Sequence, residues 1–120
     1  MNMAYFQRKS TNKYNAKGRR YNGQWFDSTG EMNYAVELDW RIKAGELQSY
    51  QRQYKIDLTV NGVHITNYFV DFRVIDKHGA VQFHEYKGVS TETFIIKWRL
   101  LQALLNEIEP GAEMILIKHQ

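Results

Sequence analysis

Two strand-like runs joined by a short turn constrain the fold of this chain most strongly. The first run spans residues 68–75 and the second spans residues 81–88. The turn between them carries Gly79 at the position where a three-residue hairpin loop needs a left-handed residue. The pattern therefore predicts an antiparallel hairpin whose loop is closed by Asp76 and Ala80.

This register places two carboxylates against each other. Counting back from the Asp76–Ala80 pair puts Asp71 opposite Glu85, and alternation along the strand puts Lys87 on the same face as Glu85. Like charges that face each other across a ladder are destabilising. A hard divalent cation such as Mg²⁺ would relieve the repulsion, because it prefers carboxylate oxygens as ligands.

The surrounding residues favour a functional interpretation of this hairpin face. The charges are flanked on their own face by apolar residues, namely Phe69, Ile75, Val81 and Phe83. We expect such a face to be half buried, and buried charges are usually paired or bound to metals. The alternative is that the short motif arises by chance on a solvated surface, with Lys87 forming only a salt bridge to Glu85 or Asp71.

The same residues resemble the motif of the PD-(D/E)XK nuclease superfamily. Val70-Asp71 and Glu85-Tyr86-Lys87 match it, with Val70 in place of the usual proline. The stretch from residue 21 to 31, a following helix and the two hairpin strands are similar to a family of small phage-encoded proteins in this superfamily, over roughly residues 13–118. The resemblance implies a restriction-endonuclease-like core and metal-dependent cleavage of DNA, with branched DNA as a candidate substrate.

The resemblance also implies roles for single residues. Asp71 and Glu85 would bind Mg²⁺ or Mn²⁺, with the backbone carbonyl of Tyr86 as a third ligand. Lys87 would orient the attacking water or neutralise the developing charge. In the resembling family a glutamate on the first helix joins the metal site, which implies this role for Glu31.

Glu31 also has a structural interpretation. Ser28-Thr29-Gly30-Glu31 is a capping box, in which the glutamate satisfies a free backbone amide at the start of a helix. Helical spacing from Glu31 leads to Ala35, Leu38 and Ile42, so Glu31 lies at the top of the apolar stripe that faces the core. Both roles stay open at this stage.

The remaining elements complete an α+β pattern. The first helix is expected to run to about Ala44, and the second, capped by Thr91, from about Glu92 to Ile108. Shorter strands are predicted at 54–60 and 63–66 around an Asn61-Gly62 turn, and at 114–118. We therefore expect a mixed sheet with a central antiparallel hairpin flanked by two helices. Lys97 on the second helix is a further candidate for phosphate contact, with a solvent-exposed role as the alternative.

The first twenty residues form a basic segment of different character. No acidic residue precedes Asp27, and we expect residues 1–20 to be a flexible arm that contacts DNA, since aromatic residues are interleaved with the cations. A solvated tail is the alternative. The proposed contacts are the six cations of this segment: Arg8, Lys9, Lys13, Lys17, Arg19 and Arg20.

Length and composition limit the functional classes. The chain has 120 residues, enough for one domain at residues 21–120, and no cysteine, so zinc–thiolate sites and thiol nucleophiles are excluded. Without an apolar run long enough for a bilayer or a recognisable signal peptide, a cytoplasmic location without membrane contact is expected.

The sequence thus predicts a metal-dependent, structure-selective DNA endonuclease, such as a Holliday-junction resolvase acting as a homodimer. The alternative is a non-catalytic nucleic-acid-binding protein on the same scaffold.

Overall fold

A computed structural model describes residues 3–8 and 19–119. In these ranges the elements are β1 (Met3–Arg8), β2 (Arg20–Tyr21), β3 (Gln24–Trp25), α1 (Thr29–Lys43), β4 (Leu47–Val60), β5 (Val63–Asp76), β6 (Val81–Lys87), α2 (Glu92–Ile108) and β7 (Glu113–His119). Five strands form one sheet in the order β1-β7-β6-β5-β4, whereas β2 and β3 pair with each other. The β4-β5-β6 pairings are antiparallel and the β6-β7 and β7-β1 pairings are parallel. The predicted α+β class, with a mixed sheet and two helices, is confirmed.

Local sequence signals set the ends of both helices. The Ser28 side chain caps α1 by accepting a hydrogen bond from the backbone N–H of Glu31 at 3.0 Å, and Gly45 follows the helix with a φ of +81°. Thr91 caps α2 in the same way, accepting from the N–H of Phe94 at 3.1 Å. The predicted starts of both helices are therefore confirmed.

Two strands are longer than the sequence predicted. The expected start of β4 at Tyr54 was wrong, because the strand begins at Leu47. The expected break near Asn67 was also wrong, since Asn67 pairs with Asp57 inside one continuous strand. Long-range pairing between β4 and β5 thus extends strands through polar residues that would otherwise favour loops.

Part of the predicted N-terminal arm belongs to the sheet. Residues 3–8 form β1, which pairs in parallel with β7 from Met3–Met114 to Arg8–His119. Residues 9–18 lie outside the described residues. The sheet therefore extends beyond the predicted domain start at residue 21.

The helices lie on opposite faces of the sheet. Along β7, Met114 and Leu116 pack in the apolar cluster that contains α2, whereas Ile115 and Ile117 pack in the cluster that contains α1. The start of α1 lies directly against β6, because a Cβ atom at Gly30 would collide with the ring of Tyr86. Glycine at this position therefore lets the first turn of α1 approach the strand that carries Glu85.

The β4–β5 hairpin changes its packing face at its middle. In β5, Tyr68 and Val70 pack on the α2 side, but Phe72 and Val74 pack on the α1 side. Regular alternation would keep all four residues on one face. Asp71 lies at this changeover, where the facing residue of β4 is Gln53, a residue with a left-handed φ of +49°. The sheet is thus irregular at the aspartate that the sequence singles out.

Candidate metal and nucleic-acid site

The β5–β6 hairpin has the register that the sequence predicts. The Asp76 N–H donates to the carbonyl of Ala80 at 2.9 Å, and the pairs run from Ile75–Val81 to Phe72–His84. The next position in this register places Asp71 opposite Glu85. Gly79 takes the expected left-handed conformation, with a φ of +85°.

At that position, side-chain carboxylates rather than backbone carbonyls accept the hydrogen bonds between the two strands. A Glu85 carboxylate oxygen, Oε1, accepts from the N–H of Asp71 at 3.3 Å, and Asp71 Oδ2 accepts from the N–H of Tyr86 at 2.9 Å. Both side chains are buried, with 6% and 4% of the residue exposed for Asp71 and Glu85. The strands therefore hold the two carboxylates side by side in a fixed arrangement.

Two neighbouring side chains fix the remaining orientation. The Tyr68 hydroxyl donates to Glu85 Oε1 at 2.7 Å, and the Gln53 amide donates to Asp71 Oδ1 at 3.1 Å. Burial, followed by the negative charge of Glu85, raises the pKa of Tyr68, so the phenol stays a hydrogen-bond donor. Neither residue was singled out from the sequence, because simple alternation places Tyr68 on the opposite face from Asp71.

The two buried carboxylates carry more negative charge than the neighbouring cations neutralise. Burial, followed by the nearby Glu85 charge, raises the pKa of Asp71 to about 7. Burial also raises the pKa of Glu85, against the opposing effects of Tyr68 and Lys87. Such shifts mark carboxylates whose ionised forms gain from a nearby cation.

Lys87 supplies one cation to the pair. Its Nζ atom lies 3.6 Å from Glu85 Oε2 and 4.5 Å from the centre of the Phe94 ring. The predicted shared face of Glu85 and Lys87 is confirmed. The ammonium group is partly exposed and reaches the same opening as the carboxylates, so it is placed to meet an incoming anion.

A cavity of about 290 Å³ opens onto these residues. Lys97 lines it, so the structure brings this second candidate cation to the carboxylates. A larger cavity of about 560 Å³ lies elsewhere, against β4 and the β2–β3 hairpin, and contains none of the carboxylate pair. The smaller cavity is bounded by Asp27, which lies just before α1, and by residues from β4, β5, β6 and the start of α2: Gln53, Tyr68, Phe69, Asp71, Glu85, Lys87, Thr91, Thr93, Phe94 and Lys97.

Glu31 lies beside the site rather than closing its capping box. Its Oε2 atom accepts from Arg52 Nη2 at 3.2 Å, in a pair that is largely buried. Burial, followed by the negative charge of Asp71, raises the pKa of Glu31 to about 7. The electrostatic contact with Asp71 agrees with the predicted inward orientation. Arg52, which also stacks 3.6 Å from the Phe26 ring centre, was not singled out from the sequence.

The donor atoms fit a hard divalent cation. Asp71 and Glu85 offer oxygens only, and Glu85 Oε2 lies 3.6 Å from Lys87 Nζ. In the part of the chain that the structure describes, no three His, Asp or Glu side chains converge into a ready-made metal site. A cation here would therefore be held by the carboxylate pair together with backbone, water or substrate oxygens. The predicted Tyr86 carbonyl ligand stays a prediction.

The apolar flank of the pair differs from the prediction at one residue. Phe83 is fully buried and Ile75 and Val81 are partly buried, as expected. Phe69 is 51% exposed, so the expectation that it helps to bury this face was wrong. It lies in the half of β5 beyond the last β6 pair and lines the cavity.

Only part of the predicted basic contact surface can be located. Arg19 and Arg20 are exposed beside the β2–β3 hairpin, where Arg19 donates to the carbonyl of Asp27 and Arg20 lies 6.0 Å from the Trp25 ring centre. Arg8 is located by its backbone at the end of β1. Lys9, Lys13 and Lys17 lie outside the described residues.

The two helices were compared with the length and apolarity that a membrane-spanning helix needs. Across residues 3–8 and 19–119, neither helix combines the length and the apolar character needed to cross a bilayer. 

Comparison with known proteins identifies a family. No curated protein and no solved structure matches the chain. A family model described as "Protein of unknown function (DUF1064)" matches residues 11–115, which include the β5–β6 hairpin, Glu31 and Lys97. Because the match covers most of its length, the chain belongs to the DUF1064 family.

Proposed function

We propose that this protein is a Mg²⁺- or Mn²⁺-dependent DNA endonuclease with a restriction-endonuclease-like core of the PD-(D/E)XK type. One observation carries the proposal: Asp71 and Glu85 are buried side by side at the floor of an open cavity, with Lys87 at the same opening. A cavity that exposes two like charges and a cation suits an anionic substrate bound through a divalent metal.

The carboxylates would hold the metal. Asp71 and Glu85 are the main ligands in this proposal, with Glu31 and the Tyr86 carbonyl as further candidates. A bound divalent cation supplies Lewis-acid polarisation of the phosphodiester and lowers the pKa of a water molecule. Gln53 and Tyr68 keep the carboxylates oriented through hydrogen bonds of 3.1 and 2.7 Å.

The lysines would act on the substrate. Lys87 is placed to stabilise the negative charge that develops on the phosphate during hydrolysis. Lys97 lines the same cavity and would hold a neighbouring phosphate. The N-terminal cations, among them the exposed Arg19 and Arg20, would contact the DNA backbone further away.

We propose branched DNA, such as a Holliday junction, as the substrate, in line with the family of small phage-encoded proteins that residues 13–118 resemble. Two symmetric cuts require two sites, so we propose a homodimer with twofold symmetry. Such an enzyme would act in the cytoplasm of a bacterial or phage-infected cell.

The test compares DNA structures with and without metal. Labelled four-way, flapped, duplex and single-stranded DNA are incubated with the protein in Mg²⁺, Mn²⁺ or EDTA. We expect cleavage only with metal and a loss of about 100- to 1,000-fold in Lys87→Ala. Lys77→Ala is the matched control, since Lys77 is an exposed lysine at the far end of the same hairpin. Binding without cleavage on every substrate would leave the non-catalytic nucleic-acid-binding function.

A further inference from the structure

An exposed tryptophan lies on the β2–β3 hairpin. Trp25 is 59% exposed, whereas the next residue, Phe26, is buried. Folding therefore leaves a large aromatic ring in solvent on an element of two short strands. A single exposed apolar residue is common, so the groups around the ring decide whether it is a contact site.

The two faces of this hairpin carry different residues. Tyr21 pairs with Gln24 across the hairpin, and Arg20 pairs with Trp25. Paired residues lie on the same face of a two-stranded sheet, and consecutive residues lie on opposite faces. The Arg20–Trp25 pair therefore faces away from the Tyr21–Gln24 pair.

The Tyr21–Gln24 face is fixed to the body of the protein. The Tyr21 hydroxyl donates to Asp39 Oδ2 on α1 at 2.7 Å, and Gln24 Oε1 accepts from Arg52 Nη1 on β4 at 3.0 Å. Because these contacts come from a helix and from the main sheet, they hold the hairpin in place. The opposite face of the hairpin is thus turned to solvent.

The hairpin lies at the rim of the cavity that contains the carboxylate pair. Arg52 Nη1 also donates to the backbone carbonyl of Trp25 at 3.4 Å, and Arg52 Nη2 donates to Glu31 Oε2 at 3.2 Å. Asp27, two residues after Trp25, lines the cavity itself. A DNA strand bound at the cavity can therefore reach the hairpin.

The charge of the exposed face favours nucleic acid as its partner. Arg19 and Arg20 are exposed, and residues 19–25 contain no acidic residue. The guanidinium carbon of Arg20 lies 6.0 Å from the centre of the Trp25 ring. Aromatic rings stack on bases regardless of sequence, and basic residues beside them suit the phosphates of the same strand. A base inside a continuous duplex is already stacked on both sides, so an unpaired base suits this ring best.

We propose that the Arg20–Trp25 face of the β2–β3 hairpin is a second DNA contact, in which the Trp25 ring stacks on an unpaired base and Arg20 binds a phosphate of the same strand. This inference rests on the proposed nuclease function and deepens it, because it assigns the recognition of unpaired DNA to an element outside the carboxylate cavity.

Binding measurements test this contact separately from cleavage. Fluorescence anisotropy in Ca²⁺ gives the affinity for flapped DNA and for a nicked duplex that lacks only the flap. We expect Trp25→Ala to weaken flap binding by about 5- to 150-fold, the range for loss of one base–aromatic stack, and to change duplex binding little. Trp25→Phe should keep most of the flap affinity, because phenylalanine retains an aromatic ring. Arg20→Gln should flatten the slope of log flap affinity against log salt by about 0.7, the value for one phosphate contact on a single strand.

Trp40→Ala is the matched control. Trp40 is 53% exposed on α1, with Lys43 Nζ 5.0 Å from its ring centre, and it does not line the carboxylate cavity. It is therefore a second exposed tryptophan beside a cation, but outside the hairpin. We expect Trp40→Ala to bind flapped DNA as the wild type does.

Four results would overturn the proposal: equal weakening of flap and duplex binding by Trp25→Ala, an equal loss in Trp40→Ala, an unchanged salt slope in Arg20→Gln, or a changed sedimentation coefficient in Trp25→Ala. The last would assign the ring to contact with a second copy of the chain. A wild type that cuts no DNA in Mg²⁺ would overturn the nuclease proposal alone, since the flap-to-duplex ratio of affinities still decides the role of Trp25. A wild type that binds neither DNA would overturn both.

Discussion

Adjacent residues of β6 bury titratable groups in two different environments. His84 faces α1, where its Nδ1 atom lies 2.5 Å from the Tyr34 hydroxyl and its Nε2 atom lies 2.8 Å from Gln82 Oε1. Glu85 faces the α2 side, where it meets Asp71 at an open cavity. Both residues are almost completely buried, with 1% and 4% exposed.

The two environments differ in how they treat charge. Burial, followed by repulsion from Arg41, lowers the pKa of His84 to about 3, so the ring is neutral and both nitrogens can be hydrogen-bonded. In the Asp71–Glu85 pair burial instead raises the pKa of both carboxyl groups, and the Glu85 charge raises that of Asp71 further. Burial of a titratable group is therefore not by itself a sign of function. An unbalanced pair that opens to a cavity is the better sign, because only a ligand can complete it.

The largest expected contrast between the two faces is catalytic. Glu85→Gln removes one charge from the proposed metal site, so we expect metal-dependent DNA cleavage to fall by about 100- to 1,000-fold. Tyr34→Phe, which removes the hydroxyl beside His84 on the other face, should leave the cleavage rate close to that of the wild type. Single-turnover cleavage of labelled four-way DNA measures both. A Tyr34→Phe loss as large as that of Glu85→Gln would break the distinction between the faces.

Metal should stabilise the carboxylate side. A ligand present at 100 times its Kd adds about 2.7 kcal/mol to the free energy of unfolding, which corresponds to a rise in Tm of about 10 °C for a chain of this size. We expect this rise with Mg²⁺ or Mn²⁺ in the wild type and not in Asp71→Asn. Calorimetric melting at fixed pH measures it. An equal rise in both proteins would place the metal elsewhere.

Lowering the pH should reduce the free energy of unfolding through His84. The pKa of His84 is lower in the folded chain, at about 3, than the unfolded value near 6.5, so the unfolded state binds more protons between these values. The His84 contribution to stability is therefore complete above about pH 6.5 and is lost as the pH falls. From pH 6.5 to 5 the loss is about 2 kcal/mol.

Raised carboxylate pKa values change stability in the opposite direction over the same range, so the His84 effect must be isolated. Urea unfolding of the wild type and of His84→Gln at several pH values does so. We expect the stability advantage of the wild type to shrink on acidification from pH 6.5 to 5. An advantage independent of pH would mean that His84 is not buried as the neutral ring.

The smallest effect tests whether the carboxylate pair costs stability without metal. Asp71→Asn removes the repulsion with Glu85, so we expect the metal-free protein at pH 8 to gain about 1 kcal/mol in its free energy of unfolding. The gain should shrink at pH 5, since a carboxyl group with a pKa of about 7 is already protonated there. Glu107→Gln, at an exposed carboxylate on α2, is the control for net charge. A destabilised Asp71→Asn would show that the pair is structural.

Much of the hairpin and of both helices could be predicted because the controlling interactions are local. Gly79 fixes the loop, the loop fixes the register, and the register brings Asp71 to Glu85. Ser28 and Thr91 mark the helix starts through hydrogen bonds within one turn. These features need only neighbouring residues, so the sequence contains all the information that specifies them.

The tertiary structure alone decided the surroundings of the carboxylate pair. The polar start of β4 becomes a strand because β5 pairs with it, and the changeover at Gln53 and Asp71 reverses which residues face α2. This reversal brings the Tyr68 hydroxyl to Glu85, whereas simple alternation would turn it away. Long-range pairing and packing set these positions. The alternation of residues along a strand does not reveal a point at which the side chains switch to the other side of the sheet. The sequence therefore determined the acidic pair, and the fold decided which side chains hold it.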